Sequence, residues 1–128
     1  MAGKSKPRPT DSELAVLGVL WESGPSTVRQ VHDALGTDRG VRYTTTLKTM
    51  QVMVEKGLLH RDVSRRSHVY RSAIDESRAR RRLVRELAGR VFGGSTRKLI
   101  LHALSAGGVS AREVREITKV LTEHGDKQ

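Results

Sequence analysis

The sequence predicts a mainly α protein: a winged helix-turn-helix with a small β-hairpin wing, then a C-terminal three-helix dimerisation domain. Three observations predict it. Residues 10–57 hold three short apolar-periodic segments, each stopped by a glycine. Two strand-like segments around a basic turn follow at once. From Asp75 the composition turns helical and strongly charged, with apolar residues four apart.

Taken in order, residues 1–9 are basic, proline-bearing and aperiodic, and are expected to form a disordered arm. Thr10-Asp11-Ser12-Glu13 fits a capping box, in which a hydroxyl and a carboxylate three residues apart satisfy free amides at a helix start. Leu14, Leu17, Leu20 and Trp21 then recur at helical spacing until Gly24-Pro25. Thr27 with Gln30 offers a second cap, for a short helix with the stripe Val28, Val31, Leu35 and a stop at Gly36. After the loop 37–42, Tyr43-Thr44-Thr45-Thr46 opens a third helix running to about Lys56, with Gly57 as its stop. Three such helices with tight connections suggest a helix-turn-helix. Leu58–Val63 and Ser67–Ala73 read as strands around Ser64-Arg65-Arg66, since Val69 and Tyr70 fit a pleated surface. Residues 10–74 are therefore expected to form the DNA-binding domain and residues 75–128 the dimerisation domain.

In the second part Ala79, Leu83, Leu87 and Val91 repeat every four residues before Gly93-Gly94. Ser95 caps a helix carrying Leu99, Ile100, Leu101, Ala103 and Leu104. Ser110-Ala111-Arg112-Glu113 is another capping box, opening a last helix expected to turn Val114, Ile117 and Leu121 inward.

Composition narrows the function. A chain of 128 residues with net charge +10 calls for a polyanionic partner, nucleic acid or an acidic membrane. With no cysteine there is no disulfide, zinc ribbon or thiolate metal site. No stretch nears the roughly 20 apolar residues of a membrane span, and the start MAGKSKPRPTD lacks a signal-peptide core. The expectation is a cytoplasmic protein with no membrane partner. Trp21, Tyr43, Tyr70 and Phe92 are too few to stack single-stranded bases, so double-stranded DNA is the expected ligand.

On the third helix, Leu47, Met50 and Val54, flanked by Thr46 and Met53, cluster on one side. Thr45, Lys48, Thr49 and Val52 fall opposite, and in a helix-turn-helix that face enters the major groove N-terminal end first. Threonine hydroxyls bond bases, threonine and valine methyls meet thymine methyls, and lysine reaches guanine or phosphate. Arg42 and Thr44 at the helix start join this set, and Arg65, Arg66 and His68 in the wing are expected on phosphates, near Arg61 and Arg71. Residues 1–74 and 75–128 each carry 12 Lys/Arg against 7 Asp/Glu, so charge alone does not locate the interface. Arg78, Arg80, Arg81, Arg82 and Arg85 are read as solvent-facing, with Glu76 and Glu86 pairing locally.

About 50 residues barely sustain a core alone, and the helix after Ser95 is apolar nearly all round. A second copy would cover it, through Leu83, Leu87, Leu99, Ile100, Leu101, Leu104, Ile117 and Leu121, and would place two readers on one duplex. Enzymatic readings find no support. Ser95-Thr96-Arg97-Lys98 matches a β-lactamase string, but that chemistry needs an Asn-bearing motif and this chain has no asparagine. His32, His60, His68, His102 and His124 lack metal spacing, and no cofactor motif occurs. Two rival readings are a nonspecific architectural duplex binder and a winged-helix protein-interaction module.

The stretches Thr10–Trp21 (TDSELAVLGVLW), Val28–Leu35 (VRQVHDAL), Tyr43–Leu47 (YTTTL), Glu55–Leu59 (EKGLL), Ser67–Arg71 (SHVYR) and Phe92–Leu104 (FGGSTRKLILHAL) occur in one order and spacing. Through them the chain resembles the BlaI/MecI/CopY penicillinase-repressor family along nearly its whole length after residue 9. The resemblance implies a homodimeric winged-helix repressor on a palindromic operator, controlling antibiotic-resistance or cell-envelope stress genes, with a sensor peptidase as a further partner. It also implies inactivation by a cut in the dimer helix. The family's Asn-Phe bond is matched here by His102 and Ala103, which offer a protease no large aromatic. The C-terminal cysteines of the copper-responsive branch are missing, which excludes copper sensing by that route.

Overall fold

The computed structural model describes residues 8–36 and 40–126. Most of the arm expected over residues 1–9, and residues 37–39 of the loop, lie outside the described residues. The chain forms α1 (Asp11–Ser23), α2 (Val28–Leu35), α3 (Tyr43–Glu55), β1 (Leu59–Asp62), β2 (Val69–Ser72), α4 (Glu76–Val91), α5 (Thr96–Ser105) and α6 (Ala111–Asp126). It divides into two compact units, residues 1–79 and 80–128, with the division inside α4 and a few residues beyond the boundary expected at 74/75. Among the described residues no helix is long and apolar enough to cross a membrane.

Local chemistry sets the first unit's helix starts. Thr10 Oγ1 accepts from the Glu13 amide at 3.2 Å while Glu13 Oε1 accepts from the Thr10 amide at 2.9 Å. Thr27 and Gln30 repeat this reciprocal pair at 3.1 and 2.9 Å. Two amides that would otherwise stay unpaired are satisfied at each start.

Packing then fixes the helices on one another. Val16, Leu17 and Leu20 of α1 and Val28 and Val31 of α2 share a core with Met50 and Met53 of α3, Leu58, Leu59 and Tyr70. Each such side chain is worth about 1.5–3 kcal/mol relative to exposure. The core face of α3 is rotated from the expected one: Thr46, Met50 and Met53 are buried, whereas Leu47 and Val54 pack at its margin. Thr46 tolerates burial because its Oγ1 lies 2.8 Å from Nδ1 of the buried His32.

Gly57, at φ 81°, turns the chain from α3 into the hairpin. β1 and β2 pair antiparallel with Leu59 opposite Ser72 and Asp62 opposite Val69, shorter than the expected strands. Ser26, between α1 and α2, adds a bridge to β2: its amide donates to the Tyr70 carbonyl at 3.0 Å and its carbonyl accepts from the Tyr70 amide at 2.8 Å. Trp21 Nε1 donates to Ser72 Oγ at 3.1 Å. The wing's base is thus tied to the helices, while the tip, residues 63–68, is exposed.

In the second unit α4 ends where the Ala88 carbonyl accepts from the Phe92 and Gly94 amides. Ser95 Oγ caps α5 through the Lys98 amide at 3.1 Å, and Ser110 with Glu113 forms a capping box on α6. Its apolar residues are not enclosed within one chain. Ala88 alone is buried among the described hydrophobic residues of this unit, and Val114 and Leu121, expected inward, are 43% and 49% exposed. Three helices of this length have too little facing surface to cover their own apolar stripes.

Candidate nucleic-acid interface

The interface candidate is built on α3. Its buried face locks one side against α1 and α2, so the opposite side is presented on a rigid element. Arg42, Thr44, Thr45 and Lys48 are exposed, and Thr49 and Val52 partly so. Thr45 and Thr49 also border a cavity of about 70 Å³ with Ser12, His32 and Thr46. That volume is far below the several hundred Å³ of small-molecule pockets. The cavity has room for little more than water.

Both ends of α3 are held. Near its start, the His32–Thr46 contact joins it to α2, and the His32 ring meets Tyr43 edge-on at 5.8 Å and 82°. At its end the C-cap residue Lys56 reaches across to α1, Nζ lying 2.8 Å from Oε2 of the buried Glu13. Burial pushes the Glu13 carboxyl up, but hydrogen bonds from Lys56 and the Thr10 amide, with the Lys56 charge, outweigh it and leave the group below its ordinary range. The carboxylate thus stays charged where it anchors the helix.

The wing supplies cations in a different arrangement. Residues 63–68 are all exposed, so Arg65, Arg66 and His68 stand together in the turn. Arg61 pairs with Tyr70 across the hairpin and Arg71 with His60, which puts these two arginines on opposite faces. The Ser64 amide donates to Asp62 Oδ1 at 2.9 Å and shapes the turn. Hydrogen bonds from Ser64 hold the Asp62 carboxyl below the usual carboxylate range, with the charges of Arg65 and Arg71 adding to it.

Of the residues expected at a dimer contact, Leu87, Leu101, Leu104 and Leu121 are exposed, and Leu83, Leu99, Ile100 and Ile117 are half-buried. Val84, Val91 and Val120, absent from that expected set, are 42%, 65% and 62% exposed and belong to the same unit. His102 and Ala103 are exposed on α5, with the His102 ring 5.4 Å from that of Phe92. Arg82 Nε lies 3.2 Å from Glu86 Oε2, a local pair on α4.

A tri-helical core, a tethered hairpin and a third helix with one polar face exposed define a winged helix-turn-helix protein. The penicillinase-repressor family profile matches residues 9–123. The chain therefore belongs to the penicillinase-repressor family. It is 27% identical to the penicillinase repressor of Bacillus licheniformis over 129 aligned positions, covering 98% of both chains. It is 41% identical to the transcriptional regulator BlaI of Mycobacterium tuberculosis over 61 residues, 47% of this chain and 44% of that protein. Among solved structures it is similar to the DNA-binding domain of the repressor BlaI, with TM-score 0.51 and 28% identity over 58% of this chain and 90% of that one.

Proposed function

We propose that this protein is a sequence-specific, DNA-binding transcriptional repressor that acts in the cytoplasm as a homodimer on a palindromic operator, and that it is not an enzyme. The observation that carries the reading is α3: one face is locked into the core, and the other offers Thr45, Lys48, Thr49 and Val52, in a unit that also carries an exposed cationic wing tip. Those side chains suit base edges, and Arg65, Arg66 and His68 suit phosphates. Family membership supports the same class.

Dimerisation rests on the second unit, whose Leu87, Val91, Leu101 and Leu121 are 47%, 65%, 51% and 49% exposed in one chain. A second copy would cover this surface and pair two readers one or more helical turns apart. Resistance or cell-envelope genes and a sensor peptidase partner are the regulatory setting that the family suggests. Selecting bound sites from random duplexes tests the reading. A palindromic consensus bound by two chains is expected, whereas enrichment of no sequence would leave the architectural binder standing.

A further inference from the structure

We propose that Arg29, on α2 and outside the reading helix, is a phosphate clamp for the operator backbone, held ready by stacking on Tyr43 of α3. The Arg29 Cζ lies 4.2 Å from the centroid of the Tyr43 ring, within the range of a cation–π contact. The ring is itself fixed: it is half-buried and meets the buried His32 edge-on, and His32 is bound to Thr46 at 2.8 Å. A relay of four side chains thus joins the core to an exposed guanidinium beside the first turn of α3.

Two features favour a ligand over plain solvation. Asp33 follows Arg29 by four residues on α2, the spacing at which an acid and a base ordinarily pair. Yet no carboxylate among the described residues lies within ion-pair distance of Arg29, and the guanidinium lies on the ring instead. A guanidinium centred over a ring keeps N–H donors directed away from it, and these can bind phosphate in a fork. Exposed arginines commonly sample many rotamers, and a stacked one loses less freedom when it binds. In a helix-turn-helix the helix preceding the reader crosses the sugar-phosphate backbone, and Arg29 lies in its first turn.

The inference rests on the DNA-binding reading above, and the test separates the two. Operator and unrelated duplex affinities are measured against salt for the full-length wild type, Arg29→Ala, Tyr43→Leu, Tyr43→Phe and the Arg29→Ala/Tyr43→Leu double variant, with thermal unfolding of each. Arg29→Ala is expected to weaken both duplexes alike, by roughly tenfold, and to flatten the log–log salt slope by about one. Tyr43→Leu should weaken binding too, Tyr43→Phe should restore the slope that Tyr43→Leu loses, and the double variant should bind no worse than Arg29→Ala alone. Wild-type affinity and slope for Arg29→Ala, or a loss confined to particular base pairs, overturns the clamp while leaving the repressor reading intact. A wild type that binds no duplex overturns both.

Discussion

Glu13 shows how one side chain serves two tasks. The carboxylate closes the capping box of α1 and at the same time anchors Lys56 at the end of α3. It lies 4% exposed, so removing its charge leaves the Lys56 ammonium without an anionic partner, while a glutamine oxygen there can still accept from the Thr10 amide as Gln30 does from Thr27. Glu13→Gln is expected to cost about 1–3 kcal/mol at pH 7, less than a fully buried pair because Lys56 keeps contact with water. The folded-state value lies below the unfolded one, so the contribution is complete above the ordinary carboxylate range and is lost as pH falls through the folded value. Urea denaturation at pH 7 and near pH 3 checks this: the gap between wild type and variant should close in acid. A constant gap would assign the loss to packing alone.

At the scale of elements, α3 and the wing are expected to divide their labour. The helix is fixed at both ends, by His32 and by Glu13, and so presents side chains with the precision that base reading needs. Among the described residues the wing tip is held by its base and by the Asp62–Ser64 turn, which suits contacts that tolerate small shifts. Alanine at Thr45 or Thr49 should therefore lose discrimination at particular base pairs, by about 1–3 kcal/mol. Alanine at Arg65 or Arg66 should weaken all sequences alike and flatten the salt slope by about one unit each. A panel of single-base operator variants, titrated at several salt concentrations, separates these outcomes. Identical behaviour of the two groups would refute the division.

For the whole molecule, the two units differ in self-sufficiency. Among the described residues the first encloses a core of ten buried hydrophobic side chains, whereas the second buries Ala88 alone. Leu101→Asp would place an unpaired charge against the proposed partner copy, at a cost of several kcal/mol. Sedimentation should show the wild type as a dimer at micromolar concentration and this variant as a monomer; a monomeric wild type would falsify the proposal. Linking two readers raises the effective concentration of the second half-site contact, and separating them forfeits that gain. A cut between His102 and Ala103 falls inside α5 and is expected to lower operator affinity by roughly 10²–10⁴-fold while unit 1 stays folded. Intact mass of the protein during derepression by a cell-wall antibiotic tests whether it occurs: fragments 1–102 and 103–128 would support it, and full-length protein throughout would refute it.

The sequence by itself determined the winged-helix class and the element order. Caps such as Thr10/Glu13, glycine stops such as Gly36 and Gly57, and apolar spacing are local signals, set by bonds and periods within a few residues. It also marked the exposed side of α3, because that polar face is what remains once the apolar face turns inward. Only the tertiary structure decided which side of α3 is most deeply buried, since Thr46 becomes a core residue through a bond to His32, fourteen positions away. The same holds for Lys56 on Glu13, for the Ser26 bridge to β2, and for Arg29 on Tyr43. None of these leaves a periodic trace, because each joins residues whose separation along the chain is arbitrary. Spacing likewise put Val114 and Leu121 on an apolar face, but whether one chain can cover that face depends on the area the three helices offer one another, which a period does not encode.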